Sequence, residues 1–309
     1  MVAGPGNQLG PSACSLASGT LLLAFERLQT ASARRIYLKR RRPGFGWSYG
    51  KEVPLPGGSY SMQSASLLGR PGDEVLLFAQ AGDLRRRAAR IWLFRGKGDS
   101  LGLPAGQAVE LGAPKGAAET DPFAAPGLDQ GELLLTVTRR FSGEGDGCYL
   151  ARTAGDLAFP RPAIRIGPGE RCRVVALGGR RLLLAYQARQ SLRQPFEAYF
   201  RLSGDSGASW SAPRKVASLA LESFDPHPVP MPGGAAAIYH VGRVAGRWAI
   251  YVTEVDPAGS PAASVRLTPL GSVRVQGPHA LGLGAIKQLF FAQEVRPLDF
   301  DILSQQVSR

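Results

Sequence analysis

Three histidines occur in the 309 residues, His227, His240 and His279, and two of them have neighbours suited to proton chemistry. Asp225 lies two positions before His227, and Tyr239 directly precedes His240. Imidazole titrates near neutral pH and transfers protons. A carboxylate pair, available from Asp121, Asp225 and Glu26, performs glycoside hydrolysis, and its separation distinguishes retention from inversion. An arginine that neutralises a uronate, beside a histidine or tyrosine that removes its proton, would instead make a lyase. The candidate catalytic set is therefore Asp121, Asp225, His227, Tyr239, His240 and His279. Three imidazoles also match a zinc ligand count, but long stretches of chain separate them. The three cysteines, Cys14, Cys148 and Cys172, are too few and too scattered for a zinc site or a disulfide framework, and read as buried thiols. No metal and no cofactor are expected.

The elements that must position these groups are visible as a repeat. One apolar phrase recurs six times: "LLLAFE" ending at Glu26, "VLLFAQ" at Gln80, "LLLTVT" at Thr138, "LLLAYQ" at Gln187, "AAAIYH" at His240 and "QLFFAQ" at Gln293, at intervals of 54, 58, 49, 53 and 53 residues. A second β-rich phrase follows each copy ("RIYLKR", "RIWLFR", "GCYLAR", "EAYFRL", "AIYVTE", "FDILSQ"), and a weaker one precedes it. Short apolar runs bounded by glycine and proline read as strands, and a nearly continuous apolar run reads as a strand buried on both faces. A fourth, variable strand ("GKEVPL", "GQAVEL", "PAIRIG", "PRKVAS", "ASVRLT") follows in five copies. Four strands in each of six units predict an all-β, six-bladed β-propeller with four-stranded antiparallel blades. The expected blades are 8–56, 57–112, 113–167, 168–220, 221–271 and 272–309 of a single domain. The residues around Val2 to Leu9 would supply the sixth outer strand and close the ring.

In such a blade the first strand leaves one face and the second returns to it. First-strand starts (Ser12, Gln63, Asp121, Arg171 or Arg173, Asp225 with His227, His279) and second-strand ends (Glu26, Gln80, Thr138, Gln187, His240, Gln293) should therefore share a face. All three histidines fall on this set. The loops after the second strands are rich in arginine, most densely at Arg85, Arg86 and Arg87. The net charge is +13, and only six of the 37 basic residues are lysine. A GC-rich bacterial genome favours arginine, but clustering on one face favours an anionic partner, because the guanidinium fork suits carboxylate, sulfate and phosphate. Gln63, Arg85, Arg86, Arg87, Arg171, Arg173 and Gln187 are the candidate ligand-binding residues. The aromatics sit in strand phrases rather than on a basic platform, which argues against nucleic acid.

The octet "SGDSGASW" lies between the third and fourth strands of the fourth unit. Ser203, Asp205, Gly207 and Trp210 fit Ser/Thr-x-Asp-x-Gly-x-x-Trp, the Asp box. The aspartate accepts backbone N–H groups across the turn, the glycine takes positive φ, and the tryptophan buries its ring. With the six-fold pattern, this box makes the chain resemble the sialidase-like, or BNR-repeat, β-propeller superfamily. The segments Arg42–Gly50 and Arg152–Pro160 resemble degenerate boxes. The resemblance implies that the box is structural and lies opposite the ligand face. It also implies an early Phe/Tyr-Arg-Ile-Pro and an arginine triad in an active sialidase. Here the first strand reads "LGPSACSL", without arginine.

These readings imply recognition of an acidic or polar glycan, or another anionic partner, at an arginine-rich face, without true sialidase activity. A glycoside hydrolase or uronate-directed lyase on that face is the first alternative, and a protein-docking subunit the second. No run of about 18 apolar residues predicts a membrane span. The N-terminal stretch lacks a basic segment followed by an apolar core, so it does not read as a secretory signal. An extracytoplasmic location is favoured if a leader has been removed, a cytoplasmic one otherwise.

Overall fold

The computed structural model describes residues 8–308, apart from 31–32, 58, 60, 83–88, 99–100, 141–145, 154–156, 190, 192, 217–221, 284–285 and 297–298. Six sheets follow one another along the chain. The first holds β1 (Gln8–Ser15), β2 (Leu21–Thr30), β3 (Ala33–Arg41) and β4 (Lys51–Glu52). The second holds β5 (Ser61–Arg70), β6 (Glu74–Gly82), β7 (Arg90–Lys97) and β8 (Gln107–Ala108). The third holds β9 (Ala118–Pro126), β10 (Leu133–Arg140), β11 (Gly147–Arg152) and β12 (Ile164–Gly167). The fourth holds β13 (Glu170–Gly178), β14 (Arg181–Ala188), β15 (Glu197–Ser203) and β16 (Arg214–Lys215). The fifth holds β17 (Glu222–Pro230), β18 (Ala236–Val244), β19 (Arg247–Val255) and β20 (Val265–Arg266), and the sixth β21 (Val275–Leu283), β22 (Ile286–Arg296) and β23 (Asp299–Ser308). Within each sheet the strands lie side by side in chain order. This is the six-bladed β-propeller fold expected from the repeat.

Contacts group the chain into two compact units, Met1–Pro122 with His279–Arg309, and Phe123–Pro278. In the first unit, alternate residues of β2 enter different cores. Leu22 and Ala24 pack with Leu77 and Phe94 of the second blade, while Leu23 and Phe25 pack with Phe290 and Ile302 of the sixth. In the second unit β14 does the same. Leu182, Leu184 and Tyr186 join Leu134 and Leu150 of the third blade, and Leu183 and Ala185 join Ile238 and Val255 of the fifth. A strand with two buried faces needs apolar residues at every position. Each fully buried leucine of these runs contributes roughly 1.5–3 kcal/mol.

Two sequence expectations change here. Cys148 of β11 and Cys172 of β13 form a disulfide, with Cα atoms 5.6 Å apart. Adjacent blades bring together two cysteines separated by 24 residues, so these are not the free thiols that scattered spacing suggested. Closing a loop of that length stabilises by roughly 3 kcal/mol in the chain-entropy account. Cys14 does remain free and buried, and burial pushes its thiol up to about 12. Gln8 and Leu9 pair with Arg27 and Glu26 in the first blade, so they do not extend the sixth. The rest of the proposed closing strand, residues 1–7, lies outside the described residues.

The octet forms the β15–β16 connection. Ser203 Oγ donates to Asp205 Oδ1 at 2.8 Å and accepts the Gly207 N–H at 2.7 Å. Asp205 accepts the Ser209 N–H at 2.9 Å and the Ser209 hydroxyl at 2.6 Å. These bonds, led by the Ser209 hydroxyl, lower the Asp205 pKa to about 2. Gly207 sits at φ +84°, where a Cβ would lie 3.3 Å from Leu182.

Candidate functional site

Near the start of each blade's first strand one residue has left-handed φ: Gly10 (52°), Ser64 (54°), Asp121 (51°), Arg171 (53°), Asp225 (56°) and Gly277 (61°). In β1, β5, β13 and β17 the strand register shifts at this residue, which marks a bulge. The bulge turns a backbone N–H away from its own ladder. In four blades that N–H is accepted by a side chain at the end of the preceding blade's second strand. Ser64 donates to Glu26 Oε1 at 2.8 Å, Asp121 to Gln80 Oε1 at 3.4 Å, Arg171 to Thr138 Oγ1 at 3.0 Å and Asp225 to Gln187 Oε1 at 2.9 Å. Four of the six second-strand ends singled out from the repeat therefore hold blade to blade.

The fifth blade departs from this pattern by one residue. Leu9, Gln63 and Glu170 pair with Glu26, Gln80 and Gln187, but their counterpart Phe224 pairs with Val241, not His240. A one-residue offset sends a side chain to the opposite face of a strand. His240 accordingly lies wholly buried beside Tyr251, with ring centroids 5.8 Å apart. Its Nδ1–H donates to the Val241 carbonyl at 3.4 Å, and Nε2 lies 3.3 Å from the Thr253 hydroxyl. Burial lowers its pKa to about 4, against the opposing effect of the Val241 bond. The ring sits in the core as a neutral group. Tyr239 is also buried.

Valine cannot accept the corresponding N–H of the next blade, that of Gly277. Asp225 does so instead: Gly277 N–H donates to Asp225 Oδ2 at 2.6 Å. The other carboxylate oxygen meets two guanidinium groups, Arg171 Nη1 at 2.8 Å and Arg173 Nη2 at 3.3 Å. The Asp225 side chain is 2% exposed, Arg173 18% and Arg171 42%. Burial opposes the Asp225 charge, but Arg171, Arg173 and the Gly277 N–H outweigh it and hold the pKa below the ordinary carboxylate range. Arg173 also lies over the Phe123 ring, 5.9 Å from its centroid, and Phe123 meets the His227 ring edge-to-face at 5.6 Å. Beside them Glu170 accepts from Arg140 at 2.6 Å and from Gln187 Nε2 at 2.8 Å.

Arg171, Arg173, Gln187, Asp225 and His227 are thus brought together within the Phe123–Pro278 unit. Two carboxylates and three arginines meet there, with Arg171 reaching solvent. Spacing did not mark Phe123, Arg140 or Glu170, whose roles depend on neighbouring blades. In the other unit, Glu26 pairs with Arg34 at 2.6 Å, and Asp121 accepts from Ser64 at 3.2 Å and Thr120 at 3.0 Å. Gln63 pairs across its sheet with Gln80. His279 Nε2 bonds the Ala13 carbonyl at 2.9 Å, a link from β21 to β1. Arg85, Arg86 and Arg87 lie outside the described residues. Among the described residues no group of three or more His, Cys, Asp or Glu could hold a metal ion. No helix there is long and apolar enough to cross a membrane.

No protein-family model matches the chain, and no curated protein matches it. Solved structures do. A protein of unknown function from Dyadobacter fermentans aligns with TM-score 0.76 at 13% identity, over 98% of this chain and 94% of that one. An alpha-L-arabinanase of Penicillium chrysogenum, complexed with arabinobiose, aligns with TM-score 0.71 at 15% identity, over 98% and 93%. A sialidase of Trypanosoma rangeli, in complex with the inhibitor DANA, aligns with TM-score 0.71 at 10% identity, over 97% of this chain and 55% of that one. At these identities the likeness concerns the fold alone, and the fold is the six-bladed β-propeller.

Proposed function

We propose that this chain binds an acidic carbohydrate through Arg171 and Arg173. The observation that carries the reading is that two guanidinium groups converge on one buried carboxylate while Arg171 reaches solvent. A planar guanidinium engages a carboxylate or sulfate through two parallel N–H bonds. The fold supports a carbohydrate as the anion's carrier, since propellers of the same type hold arabinobiose and a sialidase inhibitor.

Binding fits Asp225 better than catalysis does. Its oxygens already accept from Arg171, Arg173 and Gly277, and its lowered pKa makes it a poor proton donor. The reading also includes the absence of sialidase activity, because the first strand carries no arginine. The test is a titration with oligogalacturonate, dextran sulfate and neutral arabinan oligosaccharides at several salt concentrations. The acidic polymers should bind, and more weakly as salt rises. Arg171→Gln should weaken them roughly tenfold or more, as loss of a charged hydrogen bond does. Equal binding of neutral oligosaccharides, or no binding of either acidic polymer, would refute the proposal.

A further inference from the structure

We infer that the Cys148–Cys172 disulfide positions the Arg171–Arg173 pair for its ligand, an inference that rests on the binding role proposed for that pair. Cys172 is the residue between the two arginines. Glu170 pairs with Gln187 and Arg173 with Ala185, so Arg171 and Cys172 together face a single residue, Tyr186, across the bulge. Such a bulge loses ladder bonds, and Arg171 at φ 53° holds a conformation disfavoured for a residue with a Cβ. Something outside the sheet must fix it.

Three anchors do so, all on the third blade. Thr138 Oγ1 accepts the Arg171 N–H at 3.0 Å, Thr136 Oγ1 donates to the Cys172 carbonyl at 2.6 Å, and Cys148 bonds Cys172 covalently. Thr138 and Cys148 are register partners on β10 and β11, so the anchors converge on one patch. The threonine bonds can break and re-form, whereas the disulfide keeps β13 from moving off that patch. Among the described bulges, arginine occupies the left-handed position only in this one, and only this one carries a disulfide. Both sulfur-bearing residues are fully buried. The covalent link therefore coincides with the place where a charged side chain must be aimed from a strained backbone.

The experiment compares wild type with the Cys148→Ala/Cys172→Ala double variant at a temperature far below melting, using oligogalacturonate as the probe. The dissociation constant should rise about fivefold or more, and Arg171→Gln should have a smaller effect in the variant than in wild type, because the two act through one device. Hydrogen exchange supplies a readout without ligand. The Arg171 amide should exchange about tenfold faster or more in the variant, while amides of β18 and β19 keep their rates. An unchanged dissociation constant, or unchanged exchange at Arg171, overturns the inference. If wild type binds no acidic polymer, the binding role fails, and exchange at Arg171 alone then decides whether the disulfide fixes the bulge. Should that double variant not fold, Cys148→Ala/Cys172→Val, which refills more of the buried volume, gives the same exchange and binding readouts.

Discussion

Val241 stands in the fifth blade where Gln187 stands in the fourth, and Asp225 accepts the Gly277 N–H that a glutamine there would have taken. The same carboxylate pairs with Arg171 and Arg173. One buried group thus joins the stitching between blades to the charged cluster. Asp225→Asn should lower unfolding stability by about 2 kcal/mol or more. That is below the ~3–5 kcal/mol of a wholly buried pair, since Arg171 can turn to water. Urea denaturation at pH 7 measures it, and an unchanged midpoint would show that the pair adds nothing.

Asp225 also sets an acid limit. Its native pKa lies below the 3.8 of an ordinary aspartate, so the stability it contributes is complete above that value and is lost as pH falls through the lower native one. Wild type should lose stability across this acid window more steeply than Asp225→Asn. Parallel urea curves from pH 5 downward, compared for slope, test the sign.

His240 acts at higher pH. Its pKa is about 4 in the fold against 6.5 for the free side chain. Between these values the unfolded chain binds the proton and the folded chain does not, so stability falls as pH drops from about 6.5 to about 4. The full effect is on the order of 3 kcal/mol. A His240→Gln variant should lack this dependence, whatever its stability at pH 7. Retention of the same slope would assign it to another group.

The blade-to-blade bonds predict a repeated cost. Gln187→Leu leaves the Asp225 N–H without its acceptor and should cost roughly 1–3 kcal/mol. Gln80→Leu should cost less, because its bond to the Asp121 N–H is longer, 3.4 Å against 2.9 Å. Chemical denaturation of both variants checks the order, and the reverse order would contradict this account.

The Ser203–Trp210 hairpin should matter to stability alone. Asp205→Ala removes the acceptor of the Ser209 N–H and hydroxyl and should lower the melting temperature while leaving oligogalacturonate affinity unchanged. Lost affinity without lost stability would place the hairpin in the binding surface.

The six second strands were legible because burial on both faces demands an unbroken apolar run, and "LLLAFE" and "LLLAYQ" show it directly. The octet was legible because its bonds join residues a few positions apart. The bulges were not. Gly10, Ser64, Asp121, Arg171, Asp225 and Gly277 share a backbone conformation but no side-chain type. Missing the bulge hid the offset that puts Val241, not His240, in the repeating position. The disulfide was hidden for a related reason, since its partners meet only when one blade packs on the next.

The most direct test of the account is the dissociation constant of oligogalacturonate for wild type and Arg171→Gln, measured at two salt concentrations. Arg171 is partly exposed, and Asp225 keeps Arg173 in the variant, so the fold should be retained. The account predicts roughly tenfold weaker binding in the variant and a shallower loss of affinity with salt. Identical affinity and identical salt dependence in the two proteins would contradict it.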